Sequence, residues 1–308
     1  MTRNVNIRLK VPATTANLGS GFDTLGMALN LYNLFTVKEL LPAGEYTGEI
    51  WGEGVDILTD AKKNMLVTSY LKACDIWGIA PSGFAFESCN AVPLNRGLGS
   101  SSTAVVAGVM IANILGGCKH SEAELLRVMT LIEGHPDNVV PCCIGGMTVS
   151  CWDGETLRYV RLPALPDDLN VIAAVPDFEV HTEDARRILP ESVPFRDAVF
   201  NVSHASILCA AWAMGRWDLL RVGMEDRLHQ PHRAKLFPGN TGEKLLNEIA
   251  NHPDCVATAI SGSGPTVIAI VHGKAGKLSE AMCRIFTEGG AASHFFVLNC
   301  SSSGAVEE

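Results

Sequence analysis

The sequence lacks the features that mark several large classes of protein. No run of lysine or arginine occurs, and 33 acidic residues outnumber 24 basic ones, for a formal net charge of −9. A protein that follows the phosphates of DNA or RNA needs the opposite charge. The most apolar stretch, residues 103–118, is shorter than a bilayer span and contains an asparagine. We therefore expect neither a nucleic-acid partner nor a membrane anchor.

Ten cysteines are present, but no two form the C-x-x-C pair that is typical of zinc sites and redox centres. Residues 1–10 alternate charged and apolar side chains, which predicts a strand rather than an apolar signal segment. Scattered cysteines without such a segment favour free thiols in a reducing compartment. We expect a cytoplasmic protein.

The chain is long enough for two modest domains, since it has 308 residues, of which 47% are hydrophobic and only 19% charged. Strand and helix patterns are mixed without a steady βα repeat, which favours an α+β fold over a doubly wound sheet. Residues 163–168 are proline-rich and acidic, so we predict domains over 1–162 and 163–308. Strands are predicted at 6–11, ending at Pro12, and at 34–40, 84–88, 171–175 and 294–299, with a strand–turn–strand unit at 257–271. Helices are predicted at 64–77, 103–116, 122–133, 182–190 and 198–214, and from 279.

The segment Gly97–Thr103 has the composition of a phosphate-binding loop. Its two glycines, Gly97 and Gly99, allow a tight turn and a close approach of backbone to ligand. Hydroxyl residues then lead into a helix, whose N-terminal N–H groups and dipole favour a polyanion. An ordinary serine-capped helix would need only one hydroxyl residue. The segment matches neither G-x-x-x-x-G-K-[ST] nor G-x-G-x-x-G.

Three motifs resemble those of the GHMP kinases, which include galactokinase and mevalonate kinase. Residues 93–101 match P-x-x-x-G-L-G-S-S, residues 12–23 are similar to the first motif of these enzymes, and residues 261–266 to the third. The resemblance implies a two-domain fold, with an N-terminal ribosomal-protein-S5-domain-2-like domain and a C-terminal ferredoxin-like domain. It also implies ATP as phosphoryl donor, bound by Asn64, Pro93, Arg96, Gly97, Leu98, Gly99, Ser100, Ser101, Ser102 and Thr103.

Within these kinases, residues 12–23, 133–141, 182–190 and 229–233 resemble the homoserine kinase family. The resemblance implies L-homoserine as substrate, phosphorylated on its side-chain hydroxyl, with a place in threonine biosynthesis and a homodimer. By the same resemblance, the carboxylate, ammonium and hydroxyl groups of homoserine would be bound by Asn17, Asp23, His135, Asp137, Thr182, Arg186, Arg233 and Gly262. The arginines suit the carboxylate because a guanidinium can bind it with two parallel hydrogen bonds.

Glu133 is predicted to end a helix, where a carboxylate opposes the helix dipole at a cost of up to about 1 kcal/mol. By resemblance, Glu133 and Ser101 hold Mg²⁺, while Asn17 and Asn138 orient the attacking hydroxyl. Asn138 stands where mevalonate kinase and galactokinase have an aspartate, so we expect transfer without a dedicated base. The catalytic group predicted from the sequence is therefore Glu133, Ser101, Asn138 and Asn17.

Two departures and two alternatives accompany this interpretation. Ser102 and Thr103 replace alanines common in the family, and His181 replaces a serine. A GHMP kinase for a mevalonate- or shikimate-type alcohol is one alternative, although such substrates have no ammonium group for Asp23 and Asp137. A catalytically silent nucleotide-binding regulator is the other, although it would not need to keep Glu133.

Overall fold

The computed structural model describes residues 3–273 and 276–308, which form two β-sheets. The predicted strand over residues 1–10 therefore begins outside the described range. In chain order the strands are β1 (Arg3–Ala16), β2 (Leu25–Leu41), β3 (Tyr46–Gly52), β4 (Gly83–Asn90), β5 (Met147–Trp152), β6 (Leu157–Leu162), β7 (Leu169–Pro176), β8 (Cys255–Ile260), β9 (Val267–His272), β10 (Ser293–Leu298) and β11 (Val306–Glu307).

The α-helices are α1 (Met65–Trp77), α2 (Ser100–Leu115), α3 (Glu122–Glu133), α4 (Pro136–Ile144), α5 (Thr182–Arg187), α6 (Phe195–Ala213), α7 (Leu220–Gly223), α8 (Gln230–Arg233), α9 (Thr241–Lys244) and α10 (Gly276–Glu288). Short 3₁₀ turns lie at Trp217–Leu219, Ala234–Leu236 and Pro238–Asn240, and a π-helical turn at Leu245–Ile249. Within residues 3–273 and 276–308, no helix combines the length and the apolar character that spanning a membrane requires.

The first sheet has seven strands, with the path β11-β1-β2-β4-β3 and a branch through β5 and β6. The prediction that the first strand ends at Pro12 was wrong, since β1 continues to Ala16. Proline has no N–H for the ladder, and the pairing with β2 shifts register between Pro12 and Ala13. As a result, Thr14 and Thr15 of the first motif are held in a paired strand. The short strand β3, which pairs in parallel with β4, was not predicted.

The second sheet has four antiparallel strands in the order β10-β7-β9-β8. With α5 to α9 between β7 and β8, and α10 between β9 and β10, the chain follows the β-α-β-β-α-β order of the ferredoxin-like fold. The mixed order of elements agrees with the α+β class predicted from the sequence.

One apolar core lies between the two sheets. Leu25, Met27 and Leu29 of β2 are buried in the same cluster as Val171 and Ala173 of β7. The chain passes from one sheet to the other between Leu162 and Leu169, and its last strand, β11, returns to pair with β1. The domain bounds at residues 162 and 163 stay a prediction.

Arg96, which was predicted to contact ATP, directs its guanidinium to the residues at and after the end of β7. Nε and Nη2 donate to the carbonyl oxygens of Pro176 and Asp177 at 2.9 and 2.7 Å, and Nη1 lies 3.2 Å from Glu179. The side chain therefore joins the phosphate-loop segment to the end of β7. Nucleotide binding by Arg96 stays a prediction, and it would have to come from the backbone.

We predict that Arg96→Ala lowers the free energy of unfolding by about 2 kcal/mol, because it removes charge-assisted hydrogen bonds to two carbonyls. Denaturant unfolding measures this, with Arg158→Ala as the control, since the contact of 3.6 Å between Arg158 and Asp153 is exposed. Equal stability of the two variants would contradict the structural role of Arg96.

Candidate active site

The phosphate loop adopts the conformation that its glycines allow. Gly97 has φ +75° and Gly99 φ +70°, the left-handed region that other residues avoid. Gly99 is the N-cap of α2 and has no side chain to cap the helix. The first N–H groups of α2 therefore have no side-chain acceptor and can bind an anion.

The three motifs meet at Ser261, which lies in the turn between β8 and β9. Its hydroxyl lies 2.6 Å from the carbonyl oxygen of Gly97, to which it donates, and 2.8 Å from the hydroxyl of Thr15. The N–H of Gly262 donates to the carbonyl of Ala16 at 2.9 Å. A Cβ on Gly97 would lie 2.2 Å from the carbonyl oxygen of Ser261. The third motif thus packs directly on the first and second.

The hydroxyl residues at the start of α2 have different roles. Ser100 donates to the carbonyl of Val92 at 3.2 Å, and Thr103 donates to the carbonyl of Ser100 at 2.7 Å. Thr103 also accepts from Asn33 at 2.9 Å and is fully buried, so its hydroxyl supports the loop rather than facing a ligand.

Ser101 and Ser102 both turn towards Glu133, the last residue of α3. Their hydroxyls donate to Oε1 of Glu133 at 3.4 and 2.6 Å, respectively. One carboxylate and nearby hydroxyls, beside a phosphate site, are donors that suit Mg²⁺. The predicted pair of Ser101 and Glu133 is thus brought together, and Ser102 joins it.

The substrate-motif residues after Glu133 lie on α4, a helix that the sequence pattern did not predict. Asn138 accepts a hydrogen bond on Oδ1 from the hydroxyl of Thr14 at 2.8 Å. A Cβ on Gly99 would lie 3.2 Å from the same Oδ1, so Asn138 adjoins the phosphate loop. Thr14, which sequence reasoning missed, fixes the orientation of this amide.

The half-buried side chain of His135 pairs with buried Asp137, with 2.6 Å between Nδ1 and Oδ1. Burial lowers the pKa of His135, but the hydrogen bond and charge of Asp137, with a further contribution from Glu133, outweigh it and raise the pKa above its ordinary value. Oδ2 of Asp137 is buried without a hydrogen-bond partner among the described residues. An unpaired buried carboxylate oxygen invites a donor from a ligand.

Asp23 and Arg186 form a bidentate ion pair, with N–O distances of 2.9 and 2.7 Å. Both side chains stay partly exposed. Asn17 accepts from the N–H of Asp23 at 2.8 Å, and both residues have positive φ values, 57° and 52°. The first motif therefore folds back on itself to present Asp23.

Donor atoms of Asp23, His135 and Asp137 lie within 4.8 Å of one another. Asp23 is paired with Arg186, and His135 with Asp137, so any cation that binds here competes with those pairs. The buried Oδ2 of Asp137 has no hydrogen-bond partner among the described residues, and a cation with N–H donors would supply one.

Arg233 is the fixed cation of the site, with only 1% of its surface exposed. Nη1 donates to the carbonyl of Gly262 at 2.7 Å, and Nε to the carbonyl of Ala185 at 3.4 Å. Burial, with a smaller contribution from the charge of Arg186, lowers the pKa of Arg233 to about 10. The guanidinium therefore stays charged at neutral pH.

Sequence reasoning gave neither Phe22 nor His229 a role in the site. Arg186 and Arg233 lie 5.6 and 5.0 Å from the centre of the Phe22 ring, which stacks on His229. His229 is buried, and its Nε2 lies 2.7 Å from the carbonyl oxygen of Gly19, so Nε2 carries the proton. Burial lowers the pKa of His229, which favours the neutral ring beside Arg233. The signal available in the sequence was the position of Phe22, an aromatic residue directly before Asp23 of the first motif.

The remaining predicted residues are less closely tied to this centre. Thr182 is exposed at the start of α5, and Asn64 accepts from the N–H of Leu66 at 3.0 Å as the N-cap of α1. Pro93 and Leu98 are buried beneath the loop. A cavity of about 400 Å³ opens beside the site, lined by Asp23, Thr24, Gly134, His135, Pro136, Ser150, Cys151 and Trp152.

We predict that Gly97→Ala disrupts the contact with the third motif and lowers both stability and nucleotide affinity. The left-handed conformation alone costs roughly 1–2 kcal/mol, and the collision with Ser261 adds to that cost. Gly44→Ala is the control, because Gly44 has φ +84° with no atom within 4 Å of the added Cβ. Thermal unfolding should show the larger loss for Gly97→Ala. Equal losses would mean that strain, and not the contact, sets the cost.

We predict that Asp137→Asn lowers the pKa of His135, because it removes the main group that raises it. Protonated His135 stabilises the folded protein fully below its ordinary pKa of 6.5, and this stabilisation is lost as the pH rises through the higher folded value. A histidine NMR titration measures both variants, with Asp197→Asn as a distant control. An unchanged His135 titration in Asp137→Asn would contradict the pairing.

Comparisons with known proteins identify the family of this chain. The GHMP kinases N-terminal domain matches residues 64–146, and the GHMP kinases C-terminal region matches residues 210–288. A homoserine kinase from Carboxydothermus hydrogenoformans is 39% identical over 298 residues, covering 96% of this chain and 95% of its own. Another from Moorella thermoacetica is 39% identical over 298 residues, covering 97% and 98%.

Among solved structures, a crystal structure of homoserine kinase from Cytophaga hutchinsonii is 31% identical and has a TM-score of 0.86, covering 98% of this chain and 97% of its own. The predicted two-domain kinase fold is therefore confirmed, and the resemblance extends over nearly the whole chain. The chain belongs to the homoserine kinase family of the GHMP kinases.

Proposed function

We propose that this protein transfers the γ-phosphoryl group of ATP to the side-chain hydroxyl of L-homoserine, giving O-phospho-L-homoserine and ADP. The observation that carries the proposal is the position of Asn138, which belongs to the substrate motif and lies against Gly99 of the phosphate loop. A hydroxyl held at Asn138 would lie next to phosphates held by α2. Phosphoryl transfer depends mainly on such positioning.

The ion pair of Asp23 and Arg186 suggests how the amino-acid end of the substrate enters. Its two charges can be replaced by the two charges of a zwitterion: the substrate carboxylate takes Arg186, and the ammonium takes Asp23. Because both side chains are partly exposed, separating them costs little. Arg233 supports the carboxylate, and the unpaired Oδ2 of Asp137 supports the ammonium. His135, Thr182 and the backbone of Gly262 complete the proposed contacts.

For the nucleotide, we propose contacts with the loop from Pro93 to Thr103 and with the N-terminal end of α1 at Asn64. Glu133 and Ser101 would hold Mg²⁺, which when bound neutralises charge on the phosphates. Asn17 braces Asp23, while Asn138, fixed by Thr14, orients the acceptor hydroxyl. No group at Asn138 can take a proton at neutral pH, so the hydroxyl proton leaves to the phosphate or to water.

The cellular setting is part of the same proposal. Phosphorylation of homoserine would place the protein in threonine biosynthesis. All ten cysteines lie in the described part of the chain, and all are free thiols, as expected in the cytoplasm. A homodimer is proposed from the family resemblance alone.

The test is a coupled assay of ADP release with Mg-ATP and L-homoserine, run beside D-homoserine, mevalonate and shikimate. We expect turnover with L-homoserine only, and a loss of about 100-fold or more in kcat for Glu133→Gln, because the site loses charge stabilisation at the transferred phosphoryl group. Glu122→Gln, at the other end of α3, is the matched control, since the carboxylate of Glu122 accepts a hydrogen bond from the hydroxyl of Tyr159.

Turnover with mevalonate or shikimate instead would identify a different acceptor. If ATP bound but no acceptor were phosphorylated, the kinase proposal would fail, and a nucleotide-binding regulator would be the better interpretation.

A further inference from the structure

The third serine of the phosphate loop, Ser102, makes a contact that neither motif nor family assigns. Its hydroxyl lies 2.6 Å from Oε1 of Glu133, whereas the hydroxyl of Ser101 lies 3.4 Å from the same oxygen. The shorter distance is that of a charge-assisted hydrogen bond, which is about twice as strong as a neutral one. The longer distance is at the limit of a hydrogen bond.

The two serines also differ in burial. Ser102 has only 1% of its surface exposed and lies where α2 packs against α3, while Ser101 is exposed. Ser101 is therefore accessible to a ligand that approaches the loop from solvent. Ser102 is enclosed by protein and faces Glu133 from the helix side.

Glu133 needs such a partner. It is the last residue of α3 and is followed by Gly134 with φ +93°, so its own helix gives it no stabilising N–H group. Over residues 3–273 and 276–308, Ser101 and Ser102 are its hydrogen-bond donors, and no lysine or arginine forms an ion pair with it. Without Ser102, the carboxylate would depend on the weaker contact from Ser101.

We propose that Ser102 is a positioning residue that fixes the carboxylate of Glu133 for a divalent cation, and leaves Ser101 free to join the cation's ligands. The inference rests on the proposed function, since it takes Glu133 as a metal ligand. In this chain Ser102 stands where alanine is common in the family, so the contact tunes the site rather than creating it. Groups that hold a metal ligand in place typically change metal affinity by about 10- to 100-fold.

The experiment is a titration of Mn²⁺ into the protein–ADP complex, followed by electron paramagnetic resonance. We expect Ser102→Ala to raise the Kd for Mn²⁺ by about 10-fold. The Kd for ADP in EDTA should change by a smaller factor, because alanine keeps the backbone N–H that the first turn of α2 offers to phosphate. Activity should recover at high Mg²⁺. Alanine is the best helix former, and thermal unfolding will check that the variant folds.

The matched control is Ser69→Ala. Ser69 is also a buried serine, but it lies on α1, and its hydroxyl has no partner among the described residues. This substitution should leave Mn²⁺ binding unchanged. If Ser102→Ala binds Mn²⁺ within about twofold of the original protein, the positioning role is wrong. If Ser102→Ala loses Mn²⁺ as completely as Glu133→Gln does, Ser102 is itself a ligand, and the positioning role is also wrong.

These outcomes separate the inference from the proposed function. If Glu133→Gln weakens Mn²⁺ binding but Ser102→Ala does not, the metal site stands and only the role of Ser102 fails. If Glu133→Gln itself leaves Mn²⁺ binding unchanged, the metal assignment of the proposed function fails, and the inference fails with it.

Discussion

The hydroxyl of Ser261 makes the contact on which the rest of the site depends. It joins Gly97 of the phosphate loop to Thr15 of the first strand, and it comes from a turn almost at the other end of the chain. The backbone of the same turn reaches Ala16 and accepts from Arg233. The phosphate loop, the first motif and the fixed arginine therefore share one set of buried hydrogen bonds. A shift of the turn would move all of them together, and such networks fix geometry because unpaired buried polar groups are costly.

Residues that act through their own backbone were predictable from the sequence. Gly97 and Gly99 were expected to turn tightly, and both have positive φ values. Glu133 was expected at a helix end and lies there. The direction of Arg96 was not predictable, because its carbonyl partners lie some 80 residues further along the chain. The sequence also could not predict that Ser101 is exposed whereas Ser102 is buried against Glu133. Neighbouring residues on a helix point about 100° apart, and which one is buried depends on where α3 packs.

The helix α4 shows why the substrate motif resisted prediction. Proline is unfavourable inside a helix, yet Pro136 is accepted in the first turn of α4 and Pro141 lies within the helix. Proline cannot donate to the carbonyl four residues earlier, which here belongs to Asp137. A Cβ on Gly26 of β2 would lie 1.6 Å from that carbonyl oxygen, so only glycine allows strand and helix to approach so closely. The lost helix bond, the glycine and the burial of Asp137 are thus one arrangement, whose parts are over 100 residues apart.

The charges of the site fall into a fixed set and an exchangeable set, and the difference between them follows from burial. Arg233 is enclosed and held by two backbone carbonyls, so the protein itself fixes its position. Asp23 and Arg186 are partly exposed and satisfy each other, so the empty site carries no unpaired charge there. A ligand with a single charge would separate that pair and leave one member unsatisfied. A zwitterion replaces each partner with one of the same sign. In the proposed binding mode the pair therefore favours an amino acid over a singly charged alcohol, by the small amount that a partly exposed ion pair is worth.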